Sequence, residues 1–202
     1  MIEFLPVFIV FFSVIDPIGT VPVFIAVTAG KERAEKMKTA LQSVLIATAV
    51  LIFFVIAGEP ILSSMDIPLP AFEIAGGIVL FLFALTMIFG ESKSEEELKM
   101  VASTQNQAVF PLAVPSIASP GAMLASVMQT QNALYDISEQ VQVTAMMLAV
   151  LGVTLVLMLG SSFVYRLIGD SGASIISRVM GLILASVAVA SVLNGIKDYF
   201  SL

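Results

Sequence analysis

Six apolar runs, each long enough to cross a bilayer, take up most of this chain and constrain it more than any motif. They cover residues 4–29, 40–57, 70–89, 109–128, 143–165 and 175–196, and a helical span needs about 20 apolar residues. The stretches between them, 30–38, 58–69, 90–108, 129–142 and 166–174, are short, so one continuous membrane domain over 1–202 is expected. The first run carries Glu3 as its only early charge and no basic leader, so it reads as a span and not as a signal peptide. Of the 202 residues 58% are hydrophobic and only 12% charged, about half the charge of a soluble domain. A soluble fold of this size cannot hide so much apolar surface. Lipid is the expected solvent.

The same composition removes whole classes of chemistry. The chain has no cysteine and no histidine. Disulfides, thiol nucleophiles, Ser-His pairs and imidazole metal ligands are therefore excluded. Ser161 and Ser162 beside Gly160 have no histidine to activate them, and an aspartyl-type site would need two mid-membrane aspartates. No glycine-rich loop ends in Lys-Ser/Thr, so ATP-driven transport within the chain is out. A net charge of −6 argues against nucleic acid as a partner. No enzyme activity, cofactor or metal is expected.

Basic residues set the expected orientation. Lys31, Arg33, Lys36, Lys38, Lys93, Lys99, Arg166 and Arg178 fall in or beside the first, third and fifth loops; only Lys197 does not. The positive-inside rule makes those loops cytoplasmic and places both termini outside. A fourth segment that turned back without crossing would leave a seven-to-two split, so that alternative stays open.

The halves of the chain repeat. A shift of 103 lays Ser13 on Ser116 and Asp16-Pro17 on Ser119-Pro120; a shift of 104 lays Ala75–Leu80 on Val179–Leu184. Three spans per half invert the second half, giving repeat one at about 1–90, a cytoplasmic linker at about 91–108 and repeat two at about 109–202. Within that linker, Ser94–Glu97 forms a capping-box pattern before Leu98. The fold class expected is all-α and polytopic: six transmembrane helices in two inverted three-helix repeats, an architecture typical of secondary transporters.

Two spans carry helix breakers at matching places. Asp16-Pro17-Ile18-Gly19-Thr20-Val21-Pro22 interrupts the first span, and Ser119-Pro120-Gly121-Ala122, preceded by Pro111 and Pro115, interrupts the fourth. Proline removes a helical hydrogen bond and pushes its predecessor out of the α region. Asp16 and Ser119 then read as N-caps, with Pro17 and Pro120 opening the second half-helices. Irregular backbone is tolerated in lipid only against protein or a watery cavity. Two half-helix N-termini meeting at the midplane suit a carboxylate or another small anion. The expected substrate site is Ser13, Asp16, Pro17, Gly19, Thr20, Ser116, Ser119, Pro120, Gly121 and Ala122. Asp16, a mid-span carboxylate, is the first candidate for proton or ion coupling; a cap without a ligand is its plainer reading. Glu73 is the second candidate, with an interfacial position as the alternative. Gly76, Gly77 and Gly181 read as packing glycines set against the broken helices. Glu59, Asp66, Asp136 and Glu139 read as solvated loop charges. The 11 methionines are scattered, which fits adaptable packing.

Four segments together resemble the MarC family along the whole chain: Asp16–Phe24, Ile74–Phe81, Phe110–Pro115 and Met180–Leu184. The resemblance implies a six-span protein of the bacterial or archaeal cell (inner or plasma) membrane, related to LysE-type amino-acid exporters. Some members are described as transporters of small neutral amino acids such as glycine and alanine. The family's name refers to multiple antibiotic resistance, which does not by itself imply drug transport. Where the family usually has Gly-Pro in the fourth span, this chain has Ser119-Pro120, which adds a hydroxyl. The expectation is a secondary transporter of a small zwitterion, coupled to protons or sodium. The alternatives are a non-transporting assembly or scaffold protein, or an exporter of another small metabolite or drug. Lipid is the certain partner, and a homo-oligomer stays open.

Overall fold

The computed structural model describes residues 4–89, 108–132 and 135–200. Eight helical elements follow one another: α1 (Phe4–Ile15), α2 (Thr20–Val27), α3 (Arg33–Ser64), α4 (Leu69–Phe89), α5 (Ala108–Ile117), α6 (Pro120–Met128), α7 (Ile137–Leu159) and α8 (Ser161–Phe200). The expected capping box at Ser94–Glu97 lies outside the described residues. The long helices α3, α4, α7 and α8 turn much of their apolar surface outward: Ile56, Leu82, Val156 and Leu182 are all more than half exposed. In water that surface would be a severe liability. It is the lipid-facing coat of a membrane protein.

Helices α3, α4, α7 and the 171–200 part of α8 are each long and apolar enough to cross a bilayer. The pairs α1–α2 and α5–α6 are bent by 40° and 52°, and counting each as one span gives up to six. Sequence chemistry explains the bends. The α5 coil is a wide π-type turn whose regularity fails at Phe110 and Val114, the residues before Pro111 and Pro115, where the α region is disfavoured. Helix α8 breaks at Gly169, whose φ of 64° is open to glycine. Helix α3, with 32 residues, extends about 48 Å at 1.5 Å per residue, well beyond the hydrocarbon layer.

Helices α4 and α8 form the closest pair, and their contacts repeat. A Cβ built on Gly77 would lie 2.8 Å from the carbonyl oxygen of Ala188 and 2.8 Å from the side chain of Val192. One built on Gly181 would lie 3.1 Å from the carbonyl oxygen of Ala84 and 3.1 Å from Ile88. Adding 104 converts the α4 positions into the α8 positions: 77 to 181, 84 to 188, 88 to 192. Contacts that advance on one helix and retreat on the other mean antiparallel packing, and their exchange under one shift is a pseudo-two-fold relation between α4 and α8. Gly77 and Gly181 therefore bring α4 and α8 together and do not face the broken helices. Gly76 does, with Met128 Sδ at 2.9 Å from its Cβ position.

The polar ends are tied by specific bonds. Asp136 caps α7 in a full capping box with Glu139. Glu59 accepts a 2.6 Å bond from the backbone N–H of Asn132, linking α3 to the turn after α6. Three of the four charges read as merely solvated thus hold chain segments in place. The Arg178 guanidinium donates to the Ile88 carbonyl at the end of α4, a favourable place for a cation.

Candidate functional site

The first break is built by local chemistry. The Asp16 N–H still bonds the Phe12 carbonyl at 3.0 Å, so α1 runs its course up to that point. Pro17 has no N–H to continue the ladder. Asp16 takes φ of 49°, a left-handed conformation that aspartate tolerates better than most residues. Its carboxylate turns back over the start of the next segment, where Oδ1 accepts the Gly19 N–H at 3.0 Å. Its carbonyl accepts the Thr20 N–H at 3.1 Å. Regular helix begins only at Thr20, with Pro17, Ile18 and Gly19 in a turn, so the N-cap of α2 is Gly19 and not the expected Asp16, and no side chain caps it. The start at Thr20 is later than the expected one at Pro17, because the left-handed Asp16 and a tight bond from Val21 N–H to the Ile18 carbonyl coil the chain first.

The second break has a matching form. Ser119 is the N-cap of α6, Pro120 its first residue, and Ser119 Oγ accepts the Ala122 N–H at 3.1 Å. The Ser119 carbonyl accepts the Met123 N–H at 3.0 Å.

The two breaks touch. Ser119 Oγ donates a 2.9 Å bond to the carbonyl of Val14 in the last turn of α1. Thr20 Oγ1 donates to the Asp16 carbonyl and lies 3.3 Å from Ser116 Oγ. A hydroxyl carries one proton, so Ser116 is the donor of that second bond. Ser13 Oγ points to Met180 Sδ at 3.6 Å. Ser13, Asp16, Thr20, Ser116 and Ser119 are all buried, as are Pro17, Gly19, Gly121 and Ala122. The result is a closed polar seam between two bent spans, inside an apolar core.

Helix α8 supplies a residue that the sequence reading missed. Ser177 Oγ donates a 2.7 Å bond to Asp16 Oδ2. Both carboxylate oxygens are thus held by neutral donors, one from the backbone and one from a side chain 161 positions away. Gly19 makes room for this: a Cβ there would run into the Asp16 carboxylate and lie 2.8 Å from Ser177 Oγ. A signal for Ser177 was present, because the shift of 104 lays it on Glu73.

Two expected site residues stand elsewhere. Pro120 is exposed and faces an apolar cavity of about 300 Å³ between α3, α4 and α6. Glu73, half-buried in the second turn of α4, is not brought to the breaks. Gly121 at the start of α6 packs on Leu80 and Phe83, whereas Gly76, one turn after Glu73, packs on Leu124 and Met128 at its far end. Glu73 instead lies near Tyr135, in the turn between α6 and α7. There burial first, then the negative charges of Glu139 and Glu73, push the tyrosine phenol above its ordinary value.

An all-helical fold with a lipid-facing coat, repeated antiparallel contacts and two joined helix breaks defines a polytopic integral membrane protein. Residues 1–200 match the family described as MarC family integral membrane protein. The chain belongs to the MarC family. It is 37% identical over 189 residues to a UPF0056 membrane protein of Methanocaldococcus jannaschii, covering 92% of each chain. It is 32% identical over 197 residues to the UPF0056 inner membrane protein YhgN of Escherichia coli strain K12, covering 98% of each. With the UPF0056 membrane protein YvbG of Bacillus subtilis the identity is 33% over 199 residues, covering 96% of this chain and 94% of that one. No solved structure matches the chain at a significant level.

Proposed function

We propose that this MarC family protein is a secondary transporter of small neutral amino acids, glycine or alanine in kind. It works by alternating access of its two inverted halves and is coupled to protons or sodium. The observation that carries this reading is the buried Asp16 carboxylate at the junction of two helix breaks. A mid-span carboxylate is costly and functional by default, and broken-helix N-termini are common ligands for substrate carboxylates in transporters.

On this reading the seam is the closed form of the site. The N–H groups of Gly19 and Ala122 are held by Asp16 and Ser119. A substrate carboxylate takes their place when the halves separate, and its ammonium group meets Asp16 and the hydroxyls of Ser13, Ser116 or Ser119. The tight space around Gly19 favours a substrate with a very small side chain. No catalytic role is assigned to any residue. The cell membrane is the proposed location, with both termini outside.

A non-transporting assembly protein is the second reading. One observation favours it: Thr20–Ser116 and Ser119–Val14 bond the halves directly. An exporter of another small metabolite or drug would use the same seam. The experiment is uptake of radiolabelled glycine and alanine into proteoliposomes under imposed proton or sodium gradients. The transport reading expects gradient-dependent accumulation above protein-free vesicles. A scaffold gives none.

A further inference from the structure

The face of the molecule that carries the start of α3 contains a cavity of about 440 Å³, within the range of small-ligand sites. Its walls come from the end of α2, the turn into α3 and the junction of α7 with α8. Lys31, Arg33 and Lys36 contribute three cationic side chains, and Ser161 and Ser162 contribute two hydroxyls. Among the described residues the lining contains no carboxylate, although Glu32 and Glu35 belong to the same stretch of chain and are exposed. Part of the wall is apolar, with Phe24 and Met158. An anion placed in this concavity is attracted by the positive side chains, Arg33 and Lys36 above all, that line it.

We propose that this cavity binds a phosphate-bearing anion. Tetrahedral phosphate oxygens suit the set: the guanidinium of Arg33 binds them in a fork, the ammonium groups of Lys31 and Lys36 act as point charges, and the serine hydroxyls donate. Two sources supply this chemistry, an anionic phospholipid headgroup or free phosphate. The apolar wall and the position at the ends of membrane helices suit the lipid, since basic pockets beside spans bind anionic headgroups. Neither source depends on the transport reading, because the cavity shares no residue with the helix breaks.

The test is thermal unfolding of the full chain in an uncharged detergent. Phosphatidylglycerol is compared with phosphatidylcholine, and inorganic phosphate with chloride at matched ionic strength. A bound anion at a hundredfold excess over its Kd raises the midpoint by roughly 5–10 °C. A rise with phosphatidylglycerol alone identifies the lipid, and a rise with inorganic phosphate identifies the free anion. The double variant Arg33→Gln/Lys36→Gln loses at least half of the rise. Lys38→Gln, on the same helix but outside the lining, keeps it. Ser162→Ala, which removes one exposed hydroxyl, reduces the apparent affinity at least twofold and serves if the double variant does not fold. The proposal is overturned if neither phosphatidylglycerol nor phosphate exceeds its control. An equal loss in Lys38→Gln, or an unchanged affinity in Ser162→Ala, overturns it as well.

Discussion

Asp16 and Ser119, 103 positions apart, hold the starts of their half-helices with the same two bonds. In each, the side-chain oxygen accepts the N–H three residues on, and the carbonyl accepts the N–H four residues on. The residue types differ and so do the backbone angles, φ of 49° against −70°. The shared bonds follow from what proline leaves behind, namely N–H groups at a helix start with no partner within the helix. One half meets that need with a carboxylate and the other with a hydroxyl. Only one of the two is an acid, so the seam is symmetric in form and asymmetric in chemistry.

Ser177→Ala removes the donor to Asp16 Oδ2 and leaves a buried carboxylate oxygen without that partner. Leaving a buried acceptor without its donor costs about 1–3 kcal/mol, and a loss in that range is expected in denaturant titration of the detergent-solubilised protein. Ser177→Thr keeps the hydroxyl and is expected to recover part of it. Wild-type stability in Ser177→Ala would show that the bond contributes nothing.

Two glycine substitutions should act in opposite directions. Gly19→Ala drives a methyl into the Asp16 carboxylate and toward Ser177, and overpacking of this kind costs about 1–3 kcal/mol. Gly152, inside α7, has nothing within 4 Å of its Cβ position, so Gly152→Ala gains about 0.5–1 kcal/mol of helix propensity. Unfolding midpoints of both variants check the pair. The same sign in both would contradict the close approach at Gly19.

The pseudo-two-fold at α4 and α8 makes a paired prediction. Gly77→Ala and Gly181→Ala each push a methyl against a backbone carbonyl of the facing helix, where no side chain can swing away. Each is expected to destabilise by about 1–3 kcal/mol. A variant pair in which one substitution is silent would mean that the two contacts are not equivalent.

Tyr135 gives a pH-dependent signature outside the spans. Its phenol is raised above the ordinary 10.0 by burial and by the charges of Glu139 and Glu73. A raised acid holds its proton in the folded state when the unfolded chain would release it. The tyrosine's contribution is therefore fully present below pH 10 and is lost as pH rises through the folded value. Glu139→Gln preserves a glutamine-type capping box but removes one charge, so the Tyr135 titration moves downward. Phenolate absorbance in a Tyr165→Phe/Tyr199→Phe background measures it. No shift would remove Glu139 as a cause.

The helix breaks were legible in the sequence because proline acts locally: its missing N–H needs no tertiary information. The packing role of Gly77 and Gly181 was legible from their matched apolar strings, but their partner was not: they pack α4 on α8, not on the broken helices. Ser177 was marked only by the shift of 104 that lays it on Glu73, and its bond to Asp16 was not legible. Its bond spans 161 positions, and a serine on an apolar helix reads as ordinary packing until the partner helix is in place. Glu73 was left open between the cavity and an interfacial position, because hydropathy gives a carboxylate's depth along its own span but not which end of a neighbour it meets. The start of α2 at Thr20 turned on the backbone angle of Asp16, which composition does not encode. Glu59 was read by charge alone, while its role comes from a backbone N–H that the fold brings to it; Asp136 and Glu139 form a local capping box whose pattern the sequence carried and charge alone overlooked.

The central claim, that the seam at Asp16 is a transport site, is tested most directly by Asp16→Asn in the proteoliposome uptake assay. Asparagine is nearly the same size, and its carbonyl still accepts from the Gly19 N–H, so an unfolding midpoint near that of the wild type confirms that the fold is kept. The expected result is gradient-driven glycine or alanine uptake in the wild type and at least a tenfold loss in Asp16→Asn. Equal uptake in the two, or wild-type flux no greater than that of protein-free vesicles, would contradict it.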